Sequence, residues 1–454
     1  MSSSSEPVPG RTMTDEEIEA ILTKISEAEI VEARKKLLYS DSHQVMFEGV
    51  AGTPYVRDLG GKTYLDCTAQ AWSLNVGFSH PDVVAAIHEQ SKRLTHVRSH
   101  VDTVPKLKLA QKVCELAPGK LKKITFNCEG GSMAIECAVK LAMINRKGAD
   151  AFVTLWDSYH GSTLGTMASS WRIPSIRFPF FGADHFVKAP HPYCYRCPLG
   201  LEYTSCGIAC AEFLEKTINK GTSSKVAGVI VEPIMGNAGQ IPCPPEYLKE
   251  VRKICDQSGA LLIFDELQTG FGRLGKWFAA QYYNVEPDYI AFGKALGGGV
   301  PIGGTLANEE LEGFAYWEDH STFQFSPLLL AASLVNLHVI EKLRLLERAE
   351  SAGRYVKTKL EKMKEKYDLI GDVRGVGLFL GVELVRDRKT KEPAIKEAES
   401  VVSHALKNGV ILALSKAPNL GNVIKIKPPL IMTDEQLDLM LDVLEAGIRQ
   451  ISLR

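Results

Sequence analysis

No stretch of this sequence approaches the ~20 consecutive apolar residues that a membrane-spanning helix needs, so no helical membrane protein is expected. Net charge is equally scarce: 53 Lys plus Arg against 54 Asp plus Glu leave −1. Without a field of one sign, neither nucleic acid nor an anionic lipid surface is an expected partner. Internal repeats are missing, and residues 2–5 are the one low-complexity tract. Residues 1–13 are polar and lack the apolar run of a signal peptide, so they read as a flexible tail. Ten cysteines with no export signal are then expected as reduced thiols in a cytoplasm.

What remains is an ordinary globular balance, 45% hydrophobic and 24% charged. At 454 residues the chain exceeds the ~250–300 at which a single core stops growing, so more than one domain is expected. Thr14 with Asp15, Glu16 and Glu17 predicts a helix running to about Leu38, because acidic residues suit a helix N-terminus. Residues 47–68 read as short strands, with turns at Gly52 and Gly60-Gly61. From about 80 to 330, amphipathic stretches (82–95, 104–116, 133–146, 245–258) alternate with apolar runs (151–156, 228–231, 261–264, 289–292). That alternation predicts an α/β fold with a mainly parallel sheet wrapped by helices. Gly297-Gly298-Gly299 and Gly303-Gly304 read as turns. A long helical run follows at 328–366, with a kink expected near 345–352. Then come strands at 372–385 and helices at 393–408 and 433–452. The expected organisation is a large domain over 76–330 and a smaller α+β domain built from 14–75 and 331–454.

Four features carry chemistry. Phe126-Asn127-Cys128-Glu129-Gly130-Gly131-Ser132 runs straight into a predicted helix. Glycines there let the backbone approach a ligand, and free N–H groups at a helix start attract phosphate. Alone, such a run is a turn and cap. Asp265 closes the apolar run Leu261–Phe264, at the strand end where ligands bind in parallel sheets. An ionised carboxylate there needs a cation, such as a protonated pyridine nitrogen; the plainer alternative is a cap of the following turn. Lys294 follows Phe292-Gly293 and precedes a glycine run, a place that suits an imine-forming amine better than a solvated one. Tyr159 and His160 follow the strand at 151–156; the ring can lie on a planar heteroaromatic and the imidazole can hydrogen-bond beside it. Together they supply a phosphate site, a ring-nitrogen partner, an imine lysine and a stacking aromatic. Pyridoxal phosphate uses all four.

The run Leu262-Ile263-Phe264-Asp265-Glu266-Leu267-Gln268-Thr269-Gly270-Phe271-Gly272-Arg273-Leu274-Gly275-Lys276 resembles the signature of the class III aminotransferases, a fold-type I family. So does Glu286-Pro287-Asp288 leading to Gly293-Lys294-Ala295-Leu296-Gly297-Gly298-Gly299-Val300-Pro301, and the similarity extends from about residue 45 to the end. The resemblance implies Lys294 as the cofactor-bound lysine and proton shuttle, and Asp265 as partner of the ring nitrogen. It puts Tyr159 and Leu267 on the ring faces, Gly131 and Ser132 at the phosphate, and Gln268 near the phenolic oxygen. His160 is expected beside the cofactor. Thr322 matches a residue sent to the phosphate from the partner subunit, which implies a homodimer with shared sites. Glu232 matches a glutamate near the substrate that often pairs with a movable arginine, and Trp72 lies where members line the substrate pocket.

The sequence departs from the family in three places. Gly130 and Met133 stand where many members have Ser and Glu, and the segment around Thr322 is one residue shorter. Lys425 stands where members that bind alpha-carboxylates have Arg, and lysine lacks arginine's flat two-pronged contact. Carboxylate binding then falls to Lys425, to Lys416 or to an arginine elsewhere. The implied reaction moves an amino group from an omega-amino acid, diamine or amine to a 2-oxo acid, pyruvate or 2-oxoglutarate. A racemase or epimerase of the same family is the alternative, and a silent cofactor-binding scaffold is a third reading that intact Lys294 and Asp265 disfavour. Cys194, Cys197, Cys206 and Cys210 have a spacing that would suit zinc. Small buried residues of an insertion are the preferred reading, and no metal is expected.

Overall fold

The computed structural model describes residues 13–38, 45–171, 176–222, 225–416 and 421–452. Except for Met13, the expected N-terminal tail lies outside them. The single helix expected from Thr14 to Leu38 is two helices, Asp15–Thr23 and Glu27–Lys36. A second capping box starts the latter: Ser26 N–H donates to Glu29 Oε2 at 2.8 Å, and Glu29 N–H donates back to Ser26 Oγ at 3.3 Å.

Strands β1 (Met46–Gly49), β2 (Tyr55–Asp58) and β3 (Thr63–Asp66) form an antiparallel meander. Next come β4 (Leu121–Asn127), β5 (Ala151–Leu155), β6 (Phe186–Ala189) and β7 (Val226–Val231). A small ribbon, β8 (Ile234–Met235) with β9 (Ile241–Pro242), precedes β10 (Leu261–Asp265), β11 (Tyr289–Gly293) and β12 (Gly303–Asn308). Strands β13 (Ile370–Val376), β14 (Phe379–Leu384), β15 (Val410–Ile411), β16 (Ala413–Leu414) and β17 (Val423–Ile426) complete the set.

The large sheet has seven strands in the order β4-β12-β11-β10-β7-β5-β6. The neighbours from β11 to β6 run parallel, and β12 is antiparallel to both β11 and β4. Three strands absent from the sequence reading therefore belong to the sheet. Strand β4 carries exposed Lys122 and Lys123 amid buried positions, which blurs its apolar run. Gly303 and Gly304 are not turn residues but the start of β12. A Cβ on Gly304 would stand 2.4 Å from the Phe292 ring and 2.6 Å from Thr125 O, so glycine is there for close packing. Helices Val104–Leu116 and Pro245–Ser258 coincide with the apolar periodicity that predicted them. The long C-terminal run is broken rather than kinked, into Pro327–Lys342 and Leu345–Lys366, with Arg344 left-handed at the junction.

Two further four-stranded sheets lie apart, β1-β2-β3-β15 and β13-β14-β17-β16. Strand β15 adds in parallel to β3, so the first sheet takes strands from both ends of the chain. No helix among the described residues is long and apolar enough to cross a membrane.

Candidate active site

The chemistry gathers where the parallel strands end. Strand β10 delivers Asp265, which is paired in register with Ala291 of β11; three residues later Lys294 leaves β11. Lys294 is left-handed, with φ +43°, after the extended Gly293. Its amine has no hydrogen-bond partner among the described residues. Burial pushes its pKa down, opposed by the carboxylates of Asp265 and Glu232.

Asp265 is buried. Its Oδ2 lies 2.7 Å from His160 Nδ1, and its Oδ1 accepts from Leu267 N–H at 3.1 Å. The other imidazole nitrogen of His160, Nε2, is buried without a partner. Glu232 sits just after β7, with Oε1 accepting from Tyr159 N–H and Oε2 from Gly236 N–H, both at 2.9 Å. Both oxygens are thus held by backbone amides, and no arginine bonds them among the described residues. Burial, then the charge of Asp265, raises the Glu232 pKa. The neighbouring Glu266 has a different task. It accepts from Ala280 N–H at 2.9 Å and from Thr269 Oγ1 at 3.0 Å, and so anchors the helix Ala279–Tyr283.

The helix Gly131–Asn145 begins at the glycine loop, and its N-cap Gly130 supplies no capping side chain. Its first N–H groups are left for a ligand. Ser132 Oγ accepts from Ser162 N–H at 3.0 Å, which ties the loop to the backbone just after His160. A Cβ on Gly131 would come 2.7 Å from Leu267 Cδ2, so Leu267 lies against the loop. Tyr159 is 38% exposed. Thr322 is exposed, in a segment whose Gln324 carbonyl accepts from Cys128 N–H at 3.2 Å; no bond from Thr322 to the other site residues occurs among the described residues.

Trp72 reaches the site through an unusual turn. Ala69, Gln70, Ala71 and Trp72 all have positive φ, between 43° and 72°. Such backbone costs roughly 1–2 kcal/mol per residue. Asp66 offsets it, accepting from Thr68 N–H (2.9 Å), Thr68 Oγ1 (2.6 Å) and Gln70 N–H (3.0 Å). Against the Trp72 ring lie two buried amines, Lys425 Nζ at 4.9 Å and Lys427 Nζ at 3.4 Å from its centroid. Lys427 was absent from the sequence reading. It also donates to Gln268 Oε1 at 2.7 Å. The signal was present: Lys425 and Lys427 are two apart along an extended segment, so their side chains share one side. Lys416 is exposed.

Cys194, Cys197, Cys206 and Cys210 line one small cavity of about 20 Å³ beside His191. Among the described residues no group of three or more His, Cys, Asp or Glu is arranged to hold a metal ion.

An amine without a partner, a carboxylate backed by imidazole, an unpartnered imidazole nitrogen and an uncapped glycine-led helix are what pyridoxal phosphate requires of its protein. The comparisons with known proteins agree. The leucine/methionine racemase of Thermococcus litoralis is 39% identical over 399 residues, covering 87% of this chain and 89% of that one. A probable 4-aminobutyrate aminotransferase of Bacillus subtilis is 34% identical over 398 residues, covering 86% and 90%. The structure of an amine transaminase from an uncultivated Pseudomonas species, in its pyridoxal-phosphate-bound form, matches with a TM-score of 0.82 at 27% identity, over 91% of this chain and 98% of that one. The profile of the class-III aminotransferases matches residues 39–448, and the chain belongs to that pyridoxal-phosphate-dependent family.

Proposed function

We propose that the chain transfers an amino group from an omega-amino acid, diamine or amine to a 2-oxo acid, pyruvate or 2-oxoglutarate, with Lys294 as the acting amine. The observation that carries this reading is the half-buried Lys294 at the end of β11, its amine without a hydrogen-bond partner among the described residues, beside a strand end that holds Asp265. In this reading Lys294 would hold the cofactor and Asp265 would pair with its ring nitrogen, while His160 holds Asp265. Gly131 and Ser132 would hold the phosphate, Leu267 and Tyr159 the ring, and Gln268 the phenolic oxygen. Bound pyridoxal phosphate supplies an electron sink. Lys294, whose pKa burial lowers, would take and return the proton at the carbon bearing nitrogen.

Thr322 and its neighbour Phe323, 57% exposed, support a homodimer in which each subunit completes the other's phosphate site. All ten cysteines are free thiols, which favours a reducing, cytoplasmic location.

Reconstitution with pyridoxal phosphate, borohydride reduction and peptide mapping tests the assignment; a label fixed anywhere but residue 294 sinks it. The similarity to a racemase supports a second reading, in which the proton returns to the opposite face. A single enantiomer incubated without any oxo acid separates the two: rapid loss of optical purity defeats transamination.

A further inference from the structure

Lys427 is fully buried and joins two buried glutamines, Gln240 and Gln268. Its Nζ donates to Gln268 Oε1 at 2.7 Å. It also donates to the amide oxygen of Gln240 at 3.0 Å, and the Gln240 amide nitrogen donates to Gly236 O at 3.0 Å. Gly236 N–H in turn donates to Glu232 Oε2 at 2.9 Å. A run of hydrogen bonds therefore links Glu232 to Gln268, with Lys427 at its turning point. The Trp72 and Phe379 rings close the amine in, their centroids 3.4 and 4.3 Å from Nζ.

The bond to Lys427 sets which way round the Gln268 amide stands. A carboxamide has an accepting end and a donating end of nearly the same shape. Lys427 takes the accepting end. A Cβ on Gly236 would stand 2.0 Å from Gln268 Oε1, so backbone also walls that end. The donating end, Nε2, bonds nothing among the described residues. Holding the amide needs no charge on the lysine. Burial, then neighbouring Lys425, pushes the Lys427 pKa well down, and the uncharged amine still has an N–H for each glutamine oxygen.

We propose that Lys427 is a positioning residue for the cofactor: it holds the Gln268 amide by its oxygen, which leaves Nε2 to donate to the phenolic oxygen of pyridoxal phosphate. The inference rests on the reading of this pocket as the cofactor site, with Gln268 at that oxygen. With the amide turned round, two acceptors would face each other there, and no hydrogen bond would form. Turning it also strands a Lys427 N–H without an acceptor in a buried place, which costs the desolvation of that group. Lys427 thus acts on the cofactor through Gln268 and has no need to touch it.

The test titrates the full chain, freed of cofactor, with pyridoxal phosphate and with its 3-deoxy analogue. The analogue keeps the aldehyde, the phosphate and the ring nitrogen but lacks the phenolic oxygen. The readout is the ratio of the two affinities in the wild type, Q268A, K427M and G236A. General loosening of the pocket weakens both ligands together and leaves the ratio alone. Q268A and K427M should each lower the ratio about tenfold, the worth of one hydrogen bond to a charged acceptor. A wild-type ratio in K427M, beside a lowered one in Q268A, overturns the proposal and leaves the place of Gln268 intact. If K427M fails to fold, G236A decides, because its Cβ drives the Gln268 oxygen off Lys427. A lowered ratio there upholds the proposal, and an unchanged one overturns it. An unchanged ratio in Q268A removes Gln268 from the phenolic oxygen, and the proposal falls with it. Wild-type chain that binds neither ligand defeats the functional reading itself.

Discussion

His160 and Asp265 meet at 2.7 Å, Nδ1 to Oδ2, across 105 residues of chain, and both side chains are buried. The imidazole occupies one carboxylate oxygen and the Leu267 amide the other, so the acid cannot rotate away from the strand end.

Asp265→Asn keeps the shape and removes the charge. Turnover should fall about a hundredfold, the loss expected for one charge-assisted hydrogen bond, with little change in melting temperature. Glu266→Gln should do the reverse, lowering Tm while leaving the absorbance of bound cofactor in place, because Glu266 anchors a helix. Paired kcat measurements and thermal melts check both; equal behaviour of the two variants would contradict the division of labour.

If Lys294 acts as proposed, Lys294→Ala removes both attachment and proton shuttle. No borohydride-stable label should remain on the peptide containing residue 294, and turnover should drop by about a thousandfold or more. Mass spectrometry of the reduced protein is the direct readout.

Carboxylate binding should weaken with rising pH. Burial, then the positive charge of Lys416, pushes Lys425 down to about 7. Burial, then Lys425, Lys294 and Arg273, pushes Lys427 well below the ordinary lysine value, with Glu232 opposing. A bound carboxylate raises such a pKa again, so binding takes up a proton. Where Lys425 is the cation that meets a carboxylate, butyrate affinity should fall about tenfold per pH unit above about pH 7, until the pKa of the complex is passed. Titration calorimetry in two buffers of different ionisation enthalpy measures the proton uptake; none at pH 8 would exclude the linkage.

Gly304→Ala forces a Cβ against Phe292 and the Thr125 carbonyl between β12 and its neighbours. Overpacking of this kind costs about 1–3 kcal/mol. Chemical denaturation should show that loss with an unchanged m-value.

Much of the architecture is legible locally. The helices Val104–Leu116 and Pro245–Ser258 follow from apolar spacing, and β5, β7, β10 and β11 follow from unbroken buried runs. Strand β12 is not legible, because its opening glycines imitate a turn until Phe292 and Thr125 are seen pressing on them. The break at residues 24–26 was written in Ser26 and Glu29 but hidden by a helical composition on both sides.

Sequence alone determined which chemical groups stand at strand ends, because strand periodicity and glycine placement act over a few residues. Tertiary structure alone decided what those groups face. Lys427 meets Gln268 across 159 residues, and Glu232 spends its oxygens on backbone amides. Partners so far apart in the chain are chosen by packing and by the cost of burying a charge, which local pattern does not encode.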